Sequence, residues 1–154
     1  MQKRETTCHW IWERAIKPGG EFSHKLRVYI EDTDAGGIVY YVNYLKFMER
    51  ARTEFMRSLG FGKADIFSLD LMFVVRDLSV TYKKPAQLDD ELEATARVIE
   101  QRGAVIVFEQ GIRRHGEVLA EGEVTIACVS REGKPRRLPP EIKAALQHVQ
   151  QQDP

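Results

Sequence analysis

The densest set of groups able to do chemistry is the run Asp32-Thr33-Asp34-Ala35-Gly36-Gly37. Two carboxylates stand two positions apart, two glycines follow, and a long helical pattern begins shortly afterwards. The first backbone N–H groups of a helix have no partner within it, and the helix dipole adds partial positive charge there. Together they can polarise a carbonyl oxygen and stabilise an oxyanion. A carboxylate held beside that pole can act as general base or nucleophile on the same carbonyl. Gly36 and Gly37 would let a substrate approach the backbone, and Ile38-Val39-Tyr40-Tyr41 would form a hydrophobic wall beside it. This is acyl-transfer chemistry without serine or cysteine. On composition alone the same loop also reads as an Asx-type turn linking a strand to a helix.

Other chemistries fail on their residues. A calcium loop would match Asp32, Asp34 and Gly37, but Gly36 and Asn43 would fall where a ligand and the closing glutamate are required. There is no Gly-x-Ser-x-Gly elbow, phosphate-binding loop or His-Glu-x-x-His motif, and Gly36-Gly37 does not complete a dinucleotide fingerprint. His9, His24, His115 and His148 show no metal-ligand spacing. Cys8 and Cys128 are far apart, and Cys128 falls on the inward face of an expected strand, where a thiol is inert.

The elements that must position the loop follow from periodicity. Leu26, Val28 and Ile30 alternate with Lys25, Arg27 and Tyr29, which predicts a strand from His24 to Glu31. Tyr44, Phe47, Met48, Ala51, Phe55 and Leu59 form one apolar stripe, predicting a helix with Asn43 as N-cap and Gly60 just past its end. A short helix is expected at Lys63 to Leu69. From Met72 to Val129 the pattern is strand. Leu78, Val80 and Tyr82 lead it; Leu92 to Val98, Ile106 to Ile112 and Val118 to Cys128 supply three more alternating sets. Short connections at Lys84-Pro85-Ala86, Gln101-Arg102-Gly103 and His115-Gly116 require antiparallel pairing. A helix on one face of an antiparallel sheet is an α+β domain.

Composition agrees. The 154 residues, 43% hydrophobic, suit a single domain with its own core. Equal numbers of basic and acidic side chains, 23 each, argue against a nucleic-acid binder. No apolar run is long enough for a membrane span, and the first twenty residues lack a secretory signal's apolar stretch, so a cytoplasmic protein is expected. Residues 1–22, with a cluster at Trp10, Ile11 and Trp12, are expected to be an extension, 23–140 the domain, and 141–154 a partly helical tail.

The segment from Glu31 to Phe47 followed by Glu49-Arg50-Ala51-Arg52-Thr53-Glu54 resembles the signature of hotdog-fold acyl-CoA thioesterases. It is similar to the 4-hydroxybenzoyl-CoA thioesterase-like group, and most similar to the Tol-Pal-associated acyl-CoA thioesterases of Gram-negative bacteria. Tyr82-Lys83-Lys84-Pro85-Ala86 and Leu88-Asp89-Asp90 also match. The resemblance implies a hotdog fold, about five antiparallel strands wrapped around one long helix. It also implies acyl-CoA hydrolysis, with coenzyme A as part of the substrate and no metal or other cofactor. The family's catalytic aspartate falls on Asp34, and its carbonyl-polarising amide on the backbone N–H of Tyr41. Gly37, Ile38, Val39 and Tyr40 would line the substrate, and Lys84 is a candidate for the coenzyme A phosphates. Many Tol-Pal-associated members carry a histidine where this chain has Tyr41, which brings it nearer the 4-hydroxybenzoyl-CoA branch at that position. A homodimer or homotetramer is implied, with substrate at the dimer interface and a location in the cytoplasm or peripheral at the inner membrane. The rival readings are an enoyl-CoA hydratase, which needs an Asp/His pair, and a non-catalytic scaffold binding acyl carrier protein or Tol-Pal envelope partners.

Overall fold

The apolar stripe of the central segment dictates the architecture. In the computed structural model, which describes residues 16–17 and 19–151, helix α1 runs Val42–Ser58. Tyr44, Phe47, Met48, Ala51 and Phe55 are all buried along one side of it. That side lies on β1 (Phe22–Arg27), β3 (Glu91–Arg102) and β4 (Val105–Arg114). Phe55 joins the layers by edge-to-face contacts with Phe22 and Phe108, at centroid distances of 6.0 and 5.7 Å. Gly60 takes the left-handed φ of +92° just beyond the helix, as its position predicts.

Strands β2 (Met72–Tyr82) and β5 (Glu117–Val129) complete an antiparallel sheet in the order β1-β3-β4-β5-β2. The β3–β4 and β4–β5 connections are tight hairpins. The connection after β2 instead carries the chain to the far side of the sheet, because β2 pairs with β5 and β3 with β1. Short helix α2 (Lys63–Ser68) precedes β2. Helix α3 (Pro140–Gln150) buries Ile142, Leu146 and Val149, and its Gln150 amide donates to the Val98 carbonyl. This is the expected α+β hotdog architecture. The Trp10–Trp12 cluster, Cys8 and His9 lie outside the described residues.

Two local expectations are corrected. The first strand ends at Arg27, and a single 3-10 turn, Ile30–Asp32, follows, so Ile30 points outward at 76% exposure. Asn43 is not the N-cap; Tyr41 holds that place, and the buried Asn43 side chain has another use described below. Ser58 is buried, with its hydroxyl donating to the Phe55 carbonyl.

The contact of β2 with β5 depends on Gly122. A Cβ there would lie 2.1 Å from the Ser79 carbonyl oxygen, so the strand backbone itself occupies the space of a side chain. Gly122→Ala is expected to destabilise the fold by about 3 kcal/mol, the upper end of overpacking costs, or roughly 6–12 °C in Tm at this chain length. Urea unfolding measures it. A loss under about 1 kcal/mol would mean that β2 does not press on β5 in this way.

Candidate active site

The acidic loop is a tight hairpin. Asp34 N–H donates to the Ile38 carbonyl at 2.9 Å, Gly37 N–H to the Asp34 carbonyl at 3.1 Å, and Tyr40 N–H to the Asp32 carbonyl at 3.0 Å. Gly37 sits at φ +81°, a conformation that favours glycine in such a turn. Asp34 Oδ1 accepts the Gly36 N–H at 2.8 Å, which is an Asx turn. The second carboxylate oxygen has no hydrogen-bond partner among the described residues, and the side chain is exposed. The Asx-turn reading of the loop is therefore seen directly. The turn clamps one oxygen and presents the other.

The hairpin delivers the chain straight into α1. Asn43 Nδ2 donates to the Asp32 carbonyl at 2.8 Å, tying the first helical turn to the acidic strand. Tyr44 Oη accepts the Ala86 N–H at 2.9 Å, tying the same turn to the segment after β2. Burial raises the Tyr44 pKa, which keeps the phenol neutral. The N–H groups of Asn43 and Tyr44 bond back to the carbonyls of Tyr40 and Tyr41, whereas those of Tyr41 and Val42 have no acceptor among the described residues. Two free donors thus stand at the positive end of the 17-residue helix, two and three residues after Val39, which bridges to Thr33 beside Asp34.

The rest of the expected wall divides. Ile38, Tyr40 and Tyr41 are exposed at 37%, 47% and 58%, while Val39 turns into the core at 3%. Tyr82 stacks edge-on against Tyr41 and Tyr44 and donates its phenol to the Tyr41 carbonyl at 3.2 Å. It fixes the peptide that carries the Val42 N–H. Lys84 pairs with Glu117 at 2.6 Å, Lys83 with Glu121 at 2.7 Å, and Arg114 with Asp90 at 2.7 Å. These basic groups near the loop already hold carboxylates.

A cavity of about 430 Å³ opens between α1, α2 and β2. Its walls are mainly apolar, including Met56, Leu71, Phe73 and Ile106, and its polar contributors include Glu49, Arg52, Thr53 and Lys63. Neither Asp34 nor Tyr41 lines it. Arg52 Nη1 donates at 2.8 Å to Oε1 of Gln110, which is itself buried and donates to the carbonyls of Met48 and Thr95. Burial pulls the Arg52 pKa down and Glu49 opposes the shift, yet a guanidinium remains charged at neutral pH. Sequence periodicity left Arg52 and Gln110 unassigned. The available signal was Gln110 itself, a polar residue at an inward position between Phe108 and Ile112.

Cys128 is buried and its pKa is pushed up to about 12 by burial, so it is no nucleophile. His24, on β1 facing α1, has its pKa lowered by burial, and its field comes from Glu54 and Arg50 on the helix. No histidine lies in the loop or first helical turn, so nothing there supplies the Asp/His pair of a hydratase.

Comparison with known proteins places the chain in a family. The thioesterase superfamily model matches residues 36–121. The chain is 45% identical over 130 residues to the acyl-CoA thioesterase YbgC of Haemophilus influenzae, covering 83% of this chain and 96% of that protein. It is 44% identical over 125 residues to the acyl-CoA thioester hydrolase YbgC of Escherichia coli, covering 80% and 93%. Among solved structures, a probable thioesterase from Bartonella henselae superposes with a TM-score of 0.76 at 40% identity, covering 78% of this chain and all of that one. The chain belongs to the thioesterase superfamily and is a thioester hydrolase akin to the acyl-CoA thioesterases YbgC.

Proposed function

We propose that the chain hydrolyses the thioester of an acyl-CoA to a free carboxylate and coenzyme A, with Asp34 as general base or nucleophile and the Tyr41 N–H as oxyanion donor. The observation that carries this reading is the pairing of a turn-clamped, exposed carboxylate with two unengaged N–H groups at a helix N-terminus. In the base route, Asp34 takes a proton from water as its oxygen adds to the carbonyl carbon. In the nucleophile route, Asp34 adds directly, giving a mixed anhydride that water then opens. Either way the carbonyl oxygen becomes an oxyanion facing the Tyr41 N–H, and its collapse expels the coenzyme A thiolate. Removing one such donor typically costs about 3–4 kcal/mol of transition-state stabilisation. Ile38, Tyr40 and Tyr41 flank the thioester. A phosphate of coenzyme A would reach Lys84 by competing with Glu117. Acyl carrier protein is the alternative carrier of the acyl group.

The active form is a homodimer built on β2. This edge strand is 11 residues long and exposes Met72, Val74, Val75, Leu78 and Tyr82. A long apolar edge with unpaired backbone groups is a template for another strand. Its bulged centre carries Arg76 beside Asp77, so an antiparallel copy related by a two-fold axis there meets opposite charges. One end of β2, at Tyr82, touches Tyr41, and the other, at Met72 to Val75, lines the cavity. The two ends are about 33 Å apart. Two-fold pairing sets the Asp34 site of one protomer beside the cavity of its partner, which then receives the acyl group. A homotetramer would be two such dimers.

Asp34→Asn is expected to lower thiol release from a panel of acyl-CoAs by about 10²–10⁴-fold with an unchanged melt. Equal turnover by variant and wild type would remove Asp34 from the mechanism. The double substitution Val75→Asp with Leu78→Asp is expected to halve the mass seen by light scattering and to abolish turnover while the chain stays folded. A wild type that is monomeric and fully active would overturn the shared site.

A further inference from the structure

Among the described residues, the charge on the cavity wall has no anionic partner. Arg52 offers five N–H donors, of which one is committed to the neutral oxygen of Gln110 at 2.8 Å. Gln110 cannot swing away, because the residue is 2% exposed and its amide nitrogen donates to the Met48 and Thr95 carbonyls at 2.9 and 3.1 Å. Among the described residues no carboxylate lies within ion-pair distance of Arg52, although most other surface and half-buried arginines have one. Glu49, one turn earlier on α1, acts on it only through space. The surrounding wall is apolar, with Met56, Phe73, Ile106 and Phe108 among its members. A half-buried cation without a counter-ion bears part of the desolvation cost, and the guanidinium fork matches a carboxylate with two parallel hydrogen bonds. The volume is in the range of small-ligand sites.

We propose that this cavity takes an acyl group whose far end carries a carboxylate, and that Arg52 reads that carboxylate. The inference rests on the acyl-CoA hydrolase reading above and specifies its substrate class as ω-carboxyacyl thioesters. Gln110 is the positioning residue that aims the fork, and Arg52 touches the substrate far from the scissile bond. The thioester end remains with Asp34 of the partner, so Arg52 governs selection rather than bond cleavage.

The test compares adipoyl-CoA with uncharged hexanoyl-CoA in wild type, Arg52→Met and Arg52→Lys, with thermal melts beside the kinetics. Wild type is expected to favour adipoyl-CoA in kcat/KM by about 30-fold, the scale of a hydrogen-bonded charge pair. Arg52→Met should lose that preference, its kcat/KM falling about 30-fold further on adipoyl-CoA than on hexanoyl-CoA, and Arg52→Lys should recover part of it. No preference in wild type, or an equal loss on both substrates in a folded variant, would reduce Arg52 to a brace and overturn the proposal. Should Arg52→Met not fold, the wild-type preference and the lysine variant decide. Calorimetric titration with the non-hydrolysable thioether analogues of both substrates separates the two readings. If wild type hydrolyses neither acyl-CoA, the hydrolase reading fails. Tighter binding of the carboxylated analogue would then still sustain Arg52, and equal or absent binding would refute it.

Discussion

Everything at the site depends on where α1 begins and what holds it there. Burial of Phe47, Met48, Ala51 and Phe55 presses the helix onto the sheet but does not by itself fix the helix along its axis. Two side chains of the first turn do that. Asn43 grips the Asp32 carbonyl and Tyr44 receives the Ala86 N–H, so the acidic hairpin, the helix start and the segment after β2 share one anchorage. Both bonds are made by side chains. The backbone donors of Tyr41 and Val42 are left over, which is the condition for an oxyanion hole that pays no reorganisation at the moment of reaction.

The Asx turn is also compatible with the role proposed for Asp34. An Asx turn is usually the end of an explanation, because it satisfies a polar side chain and nucleates a turn. Here it uses one oxygen only. Rotation of the carboxylate is restrained by the Gly36 N–H, and the remaining oxygen keeps a set direction relative to the helix. A substituent on Gly36 would lie 3.2 Å from Asp34 Oδ1, so the glycine leaves the carboxylate room. Restraint of this kind is what a base or nucleophile needs to meet a carbonyl at a fixed angle.

Much of this was legible in the residue pattern, and the failures have physical causes. The helical stripe and the alternation in β3, β4 and β5 are strong because each element buries a whole face. Leu92, Ala94, Ala96 and Val98 are all buried as their alternation predicts. Asn43 was misplaced because an amide near a helix start serves equally as a cap or as a tether, and only the hairpin's position decides. Ile30 continued the period of β1, but period does not say where a strand stops. Arg52 was invisible because a charged residue beside a stripe normally points to water; its partner Gln110 lies 58 positions away. For β2, the pattern gave an inward face that a single chain does not cover.

That uncovered strand is where the parts of the proposed reaction meet. One end of β2 bears on Tyr41, the residue of the proposed oxyanion donor, through the bond from Tyr82 to its carbonyl, and the other bears on the cavity through Met72, Phe73 and Val75. Within one chain these functions are held apart by the rigidity of the same strand, so no flexing of a monomer can unite them. Antiparallel pairing exchanges the ends, and a two-fold axis does so twice, giving two complete sites from one contact. The apolar side chains of the edge and the adjoining Arg76 and Asp77 then act as a register mark, since a slip of one residue would reverse which face carries them. In this arrangement catalysis, from Asp34 and the Tyr41 amide, and selection, from the partner's cavity and its arginine, are properties of different protomers joined by one strand pair.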